Sequence, residues 1–378
     1  MPMKKRKTAA ACAALAVVFT AARVLTGCAG LPVRAPEPTE ESAKEPGTFS
    51  EPVLQSTGFL YYEEHLPSAE ERAAYAVVYD AIVGYKTEVL LPIQSEEEAD
   101  AVFESVMADH PEIFYIDGYY LKRSEDGLHF TGGYTKNEVE RDAIAAELEK
   151  KRREITDSAP DGDDYEKIKH AYDAIAESTS YDVFAPDNQN IVSVFLNHSS
   201  VCQGYSKAFQ WVLLGMGVPC VLDTGTANGA AHSWNVCRSN GRWYYVDLTW
   251  GRTLHQSDEC LGEVNYDYFM VTQQEIEKTH VSEACVEMPG AYSMSDNYYV
   301  REGTYLSAYS ASCVENIVKR ESELRSDGYV CIKCADEEVY ESAYRDLIED
   351  KAILGILSSD EISYKCFEDL KKLVFILR

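Results

Sequence analysis

The chain has 378 residues, of which 46% are hydrophobic and 26% are charged, and its formal net charge at pH 7 is −28. This length is enough for two or three small domains with cores of their own. So large an excess of acidic residues argues against nucleic acid as a partner and against electrostatic binding to anionic lipid.

Residues 1–27 have the pattern of an export signal: four basic residues, a short apolar run, and small residues before a cysteine. The apolar run is too short for a comfortable transmembrane helix, which needs about 20 apolar residues. The stretch Leu25 to Cys28 resembles the lipobox of bacterial lipoproteins. This resemblance implies cleavage before Cys28, lipidation of that cysteine, and attachment at the extracytoplasmic face of the cell membrane. The alternative is an ordinary signal peptide with a chance cysteine.

Residues 28–56 are rich in proline and glutamate and contain few large apolar residues, so we predict a disordered tether. Residues 57–158 are predicted to form an N-terminal α+β region. Within it, strands are predicted at 113–116 and 119–121, and a hairpin partner at 128–134. A charged helix is predicted to follow, from about residue 136 to residue 155.

Two helices of this N-terminal region begin with the same sequence device. Ser68 with Glu71, and Ser95 with Glu98, each form a predicted capping box ahead of an amphipathic helix. Nothing in the region has the pattern of a catalytic site.

Residues 159–290 are predicted to form the catalytic domain, and Cys202 is the candidate nucleophile within it. The sequence predicts a helix with Ser200 as N-cap and Gln203 completing a capping box, which places Cys202 in the first turn. The N–H groups and dipole at a helix N-terminus favour negative charge and lower a thiol pKa. Taken alone, this segment leaves open that Cys202 is a small buried hydrophobic residue, as most free cysteines are.

A histidine and an aspartate are predicted on two adjacent antiparallel strands. In residues 230–236 apolar and polar side chains alternate, and this predicted strand contains His232. Asn240 and Gly241 are predicted to form a hairpin turn, and the returning strand, 243–250, contains Asp247. Such a carboxylate can accept one imidazole N–H, so that the other ring nitrogen faces a nucleophile. We expect the Cys202 sulfur within about 4 Å of one nitrogen and a carboxylate oxygen within about 3.2 Å of the other.

Several segments together resemble the transglutaminase-like superfamily in order and spacing. The resemblance covers about residues 160–285. Its core consists of three segments, which are 201–206, 231–236 and 241–250, and its leading and closing segments are 167–182 and 266–280.

The resemblance implies an α+β fold with a papain-like core, flanked here by the N-terminal region and a small C-terminal α/β module. It implies that Cys202 is the nucleophile, His232 the base and acid, and Asp247 the orienting group. The Cys202 N–H would be one oxyanion donor, and Gln203 and Tyr181 are expected to be structural rather than the second. Four aromatic residues are candidates for the walls of a substrate groove, with core packing as the alternative for each: Trp234, Trp243, Tyr245 and Trp250.

The superfamily includes amide cross-linkers, peptidases, amidases and inactive members. The expected function is therefore an exported, lipid-anchored thiol enzyme that cleaves or transfers peptide or glutamine side-chain amide bonds through a thioester, with hydrolysis favoured over transfer. Its partner would be a peptide or protein, cell-wall peptide included. The alternative is a catalytically inactive transglutaminase-like binding module at the cell envelope. No cofactor and no metal ligands are expected, because the sequence has no HExxH motif and no EF-hand loop.

Residues 291–378 are predicted to form the C-terminal module, with a helix at 314–324, a strand at 328–333 and a helix at 337–347. The chain has 11 cysteines, of which Cys12 lies in the signal, Cys28 is the lipidation site and Cys202 is the candidate nucleophile. Export permits disulfides among the other eight, but the sequence does not assign pairs. Cys331 and Cys334 form a CxxC motif inside the predicted strand, where alternation puts the two thiols on opposite faces. We therefore expect no metal or redox role for this pair.

Overall fold

The structure is a computed structural model, and it describes residues 58–253, 264–324 and 328–377. The expected signal peptide at 1–27, the tether at 28–56 and the lipidation site at Cys28 lie outside the described residues. None of the described helices combines the length and the apolar composition that crossing a bilayer requires.

The N-terminal part packs helices against a three-stranded antiparallel sheet of order β1–β3–β2. Its elements are α1 (Tyr61–His65), α2 (Ala69–Val83), β1 (Val89–Leu90), α3 (Glu96–Asp109), β2 (Ile116–Ser124), β3 (Gly127–Tyr134) and α4 (Glu138–Thr156).

Both predicted capping boxes are confirmed, at Ser68 and Ser95. The two short strands predicted at 113–116 and 119–121 are wrong in detail, because a single strand begins at Ile116. The residues before it, Ile113 to Tyr115, are all buried. All three side chains of this apolar stretch are buried in the core, and the stretch does not form a strand.

The central part contains a four-stranded antiparallel sheet of order β8–β7–β6–β9 and a two-stranded parallel pair, β4 with β5. Its elements are α5 (Asp164–Ser178), β4 (Ser180–Tyr181), α6 (Ile191–Phe195), β5 (Ser199–Ser200), α7 (Cys202–Gly215), β6 (Cys220–Ala227), β7 (Ala230–Ser239), β8 (Arg242–Val246), α8 (Leu248–Thr253), α9 (Gln273–Ile276) and β9 (His280–Ser282).

The four-stranded sheet is covered on both faces. Tyr244 and Val246 point into the large core that also contains Phe209 of α7. Trp234 and Val236 point to the opposite face, into a second cluster that includes residues of α1 and α3. The sheet with α7 against it forms the α+β core that the sequence predicts.

The C-terminal part is a mixed four-stranded sheet of order β10–β11–β13–β12 with its own core. The predicted helix at 337–347 ends earlier, and a π-helical turn, Arg345–Glu349, follows it. The elements are α10 (Tyr298–Arg301), β10 (Tyr305–Leu306), α11 (Ala311–Leu324), β11 (Tyr329–Cys334), α12 (Glu337–Tyr344), α13 (Ala352–Leu357), β12 (Ser363–Phe367) and β13 (Lys372–Ile376).

A buried lysine on α7 opposes the stability of this fold at neutral pH. Lys207 is 4% exposed, and burial lowers its pKa from 10.5 to about 8. The negative charge of Glu112 raises this pKa but does not outweigh the burial. Burial here disfavours the protonated lysine relative to the unfolded chain. The full destabilisation by the buried lysine applies below pH 8, and it disappears as the pH rises from about 8 to 10.5.

We predict that Lys207→Met raises the free energy of unfolding at pH 7 by up to about 3 kcal/mol, because one pKa unit corresponds to about 1.4 kcal/mol. The gain should shrink at pH 10, where the wild-type lysine is largely neutral. Urea denaturation at both pH values measures this, with Lys122→Met, at a lysine whose side chain is 67% exposed, as the control. A less stable Lys207→Met variant at pH 7 would contradict the prediction.

Candidate active site

Cys202 is the first residue of α7, as the sequence predicts, but the predicted capping box is wrong. The N-cap residue is Val201, and it makes no side-chain cap. The Ser200 hydroxyl instead lies 2.7 Å from the Ser193 hydroxyl and is fully buried. Ser200 therefore ties the chain that enters α7 to α6 and does not cap α7.

Helix α7 is fixed to the strand that carries His232. Ser206 donates its hydroxyl to the backbone carbonyl of Ser233 at 3.0 Å, and Asn235 donates its side-chain amide to the carbonyl of Ser206 at 3.1 Å. One turn further along α7, the Gln210 amide donates to the carbonyl of Ala108 at 2.8 Å. These buried bonds hold the helix between β7 and the N-terminal region.

The structure brings Cys202, His232 and Asp247 together. His232 lies on β7, and its Nε2 donates to Asp247 Oδ2 at 2.8 Å. This bond occupies Nε2 and leaves Nδ1 as the ring nitrogen available to Cys202, and the thiol and the imidazole shift each other's pKa.

The strand predicted to run to residue 250 ends at Val246, and Asp247 lies just beyond it. Asp247 directly precedes α8, and its Oδ1 accepts the backbone N–H of Trp250 at 3.1 Å. Asp247 thus makes the side-chain contact of an N-cap residue, and this contact fixes its second oxygen.

A second histidine, which the sequence analysis did not select, contacts the same carboxylate. His280, the first residue of β9, donates from Nε2 to Asp247 Oδ2 at 3.2 Å. Its Nδ1 lies 2.8 Å from the Thr279 hydroxyl. The one signal for His280 in the sequence was its position at the end of the closing segment 266–280, and no function was assigned to His280 from that position.

Asp247 is completely buried, yet it remains ionised. Burial pushes its pKa upward, but the charge and hydrogen bond of His232 and the hydrogen bond of His280 hold the pKa of this carboxyl well below its usual range. The carboxylate therefore carries a full negative charge behind His232 at every physiological pH.

The thiol and the imidazole shift each other toward their charged forms. Burial raises the pKa of Cys202, but the hydrogen bond and charge of His232, with hydrogen bonds to Ser233, outweigh it and lower the pKa below that of an ordinary thiol. Burial lowers the pKa of His232, and Asp247 and Cys202 raise it overall. The arrangement favours a thiolate–imidazolium pair, which is the reactive state of a cysteine nucleophile.

Tyr181, which the sequence analysis regarded as structural, borders this pair. It pairs with Ser200 in the parallel β4–β5 ladder, two residues before Cys202. Burial, and then the charges of Cys202 and Asp247, raise the pKa of Tyr181 to about 12. Its hydroxyl therefore keeps its proton at neutral pH and is available as a hydrogen-bond donor.

Of the four groove candidates, Trp250 and Trp234 lie beside the histidines. The Trp250 ring centroid is 5.8 Å from that of His232 and 4.6 Å from that of His280, and Trp250 is partly exposed. The Trp234 ring lies 6.0 Å from the His232 ring but is only 1% exposed. Trp250 is thus placed to meet a substrate, whereas Trp234 packs in the core.

The other two candidates lie along the outer cluster. The Trp243 ring packs against Phe59 and Tyr61 of the N-terminal region, at centroid distances of 6.4 and 6.2 Å. Tyr245 is 5% exposed and belongs to the core on the same face of the sheet. Both rings therefore belong to the outer cluster and not to the surroundings of the histidines.

The same centre contains a set of side chains that could hold a metal ion. One ligand atom each from His232, Asp247 and His280 lies within 4.8 Å of the others, and all three residues are buried. The sequence analysis expected no metal ligands, because these residues form no local motif.

Comparison with known proteins gives the family of this domain. The sequence model of the transglutaminase-like superfamily matches residues 151–248, a stretch that contains Cys202, His232 and Asp247. The kyphoscoliosis peptidase of Mus musculus is 27% identical over 108 residues, which are 24% of this chain and 16% of that protein.

Two solved structures show a distant similarity. A TGase is 14% identical with a TM-score of 0.27, covering 43% of this chain and 50% of that one. The periplasmic domain of TgpA from Pseudomonas aeruginosa is 14% identical with a TM-score of 0.25, covering 40% and 59%. This chain thus spans about a sixth of the mouse protein and 50% of the TGase. Residues 151–248 belong to the transglutaminase-like superfamily, on the strength of the sequence match.

We predict that iodoacetamide labels Cys202 rapidly at pH 6, well below the ordinary thiol pKa of about 8.5. The imidazole lowers the thiol pKa, so the reactive thiolate should persist at lower pH than in an ordinary cysteine, and labelling should fall as the pH drops through that lowered pKa. His232→Ala should shift the labelling profile toward the ordinary value, whereas Asp247→Asn should keep the thiol labelled but slow turnover. Mass mapping measures each site, and Cys313, an exposed thiol, serves as the internal control.

Proposed function

We propose that this protein is an exported, lipid-anchored thiol enzyme that breaks amide bonds of peptides or proteins. The observation that carries the proposal is the chain of contacts from Cys202, at the start of α7, through His232 to the buried Asp247. A buried cysteine of no function needs neither an imidazole partner nor a carboxylate behind that imidazole.

The geometry supports a two-step acyl transfer. The Cys202 thiolate attacks the amide carbonyl carbon, and the His232 imidazolium gives its proton to the amine as the carbon–nitrogen bond breaks. A thioester remains on Cys202. Water then attacks the thioester, its proton passes to His232, and the carbon–sulfur bond breaks to release a carboxylic acid and the thiolate.

The carbonyl oxygen becomes negatively charged in both steps and needs donors that are already in place. The backbone N–H of Cys202, in the first turn of α7, is one such donor. Tyr181 is the candidate for the second, because it pairs with Ser200 two residues before Cys202 and its hydroxyl keeps its proton. Replacing water by an amine in the second step would make the same site a transferase.

We predict that an electrophilic amide mimic labels Cys202 in the native protein, and that cell-envelope peptides treated with the protein are shortened. Addition of a primary amine distinguishes the reactions by mass spectrometry, because hydrolysis leaves a carboxylate and transfer leaves an amide of the added amine. Cys202→Ala is the matched control and should give neither product. A native protein that ignores the probe, while the denatured protein reacts, would instead indicate an inactive binding module.

The anchor has its own test. Cys28→Ala should leave the protein unprocessed or release it from the membrane fraction, because only Cys28 stands at the expected cleavage site. Cys12→Ala, inside the signal, is the matched control and should leave membrane attachment intact. A wild-type protein that is soluble, with a mature N-terminus beyond Cys28, would contradict lipid anchoring without affecting the proposed chemistry.

A further inference from the structure

We propose that His232, Asp247 and His280, here called the His–Asp–His cluster, bind a zinc ion reversibly, and that zinc switches the triad off. Binding is a property of the cluster alone. Only the inhibitory consequence rests on the proposed function.

The positions of the donor atoms fit a small divalent ion. The Nε2 atoms of His232 and His280 lie 2.8 Å and 3.2 Å from the same oxygen, Asp247 Oδ2. Zinc bound tetrahedrally at about 2.0–2.1 Å from each ligand needs ligand atoms about 3.3 Å apart. The two nitrogen–oxygen distances are within about 0.5 Å of that spacing, and all three ligand atoms lie within 4.8 Å of one another.

The chemistry of the donors favours zinc. Two imidazole nitrogens and one carboxylate, with an open fourth position, are a donor set that zinc accepts, whereas calcium and magnesium prefer oxygen ligands. The His280 ring also has a partner at its other nitrogen, as zinc-bound histidines do. This partner is the Thr279 hydroxyl, 2.8 Å from Nδ1.

Burial and charge favour binding as well. His280 and Asp247 are 2% and 0% exposed, so the site excludes bulk water, and the ionised carboxylate offsets part of the ion's charge. The ion replaces the Nε2 protons, which move to Nδ1 or leave to solvent. Zinc on Nε2 leaves His232 a neutral imidazole with its single proton on Nδ1. Giving up that proton would produce an imidazolate, so His232 can no longer act as the general acid.

A different site would also explain zinc inhibition, namely Cys202 with His232, and the two sites predict different variants. The His–Asp–His cluster does not include the Cys202 sulfur. Zinc on the cluster must survive loss of the thiol and must depend on His280, a residue 33 positions from Asp247 that the proposed reaction does not use directly.

The test is isothermal calorimetry of the mature protein with zinc chloride, together with the absorption spectrum of the cobalt complex. Cys202→Ala should bind one zinc with near wild-type affinity, and cobalt should show tetrahedral bands without a thiolate charge-transfer band. His280→Gln keeps a side-chain donor for Asp247 but should lose at least about tenfold in zinc affinity. His170→Gln, at a histidine outside the cluster, should not change it.

No zinc binding by the wild type, wild-type affinity in His280→Gln, or loss of binding in Cys202→Ala would each overturn the proposal. Because calorimetry needs no turnover, a protein that binds zinc but shows no enzyme activity would refute the proposed function and leave the zinc site standing. An active enzyme that binds no zinc would do the reverse.

Discussion

The buried negative charge of Asp247 is the constraint on which the site depends. A fully desolvated carboxylate costs several kcal/mol unless donors surround it. Here three N–H groups do so: Nε2 of His232 and of His280, and the backbone N–H of Trp250. They come from β7, β9 and α8, so meeting this one requirement fixes three elements of the domain relative to each other.

The C-terminal module supports the same centre from behind. The backbone N–H of Asp247 donates to the carbonyl of Tyr268 at 2.9 Å. The neighbouring Asp267 is itself buried and pairs with Lys372 of β13, while the Tyr299 hydroxyl donates to it at 2.6 Å. A buried ion pair that loses one partner is strongly destabilising, so the catalytic segment and the C-terminal module depend on each other for stability.

The features of the site that the sequence predicts are those set by residues close together in the chain, and the features that it misses depend on residues far apart in the chain. The β7–β8 hairpin is specified by a local signal, the Asn240–Gly241 turn. The helix start at Cys202 was predicted correctly, but from a capping box that the structure does not form. The lowered pKa of the thiol was predicted from this helix start and from the neighbouring imidazole. His280 was missed because its contact with Asp247 forms across the sheet, and no local pattern distinguishes a histidine that binds a distant carboxylate from one packed in a core.

The errors have a similar origin. Ser200 has the sequence of an N-cap, but burial gave its hydroxyl a closer partner in Ser193. The strand predicted to continue through Asp247 stops there because that carboxylate contacts the N–H of Trp250 in α8 and both histidines at once. In each case a buried polar group takes the partners that the tertiary structure supplies, and this outweighs the local preference.

The three triad residues differ in their access to solvent. Cys202 and His232 are 6% and 7% exposed, whereas Asp247 is fully closed off. The carboxylate behind the imidazole is therefore out of reach of a substrate. Trp250 and Tyr181 are both partly exposed and lie beside Cys202 and His232. In the proposed reaction, whether water or an amine resolves the thioester depends on which of them reaches Cys202 past these two side chains, because the triad performs the same chemistry with either.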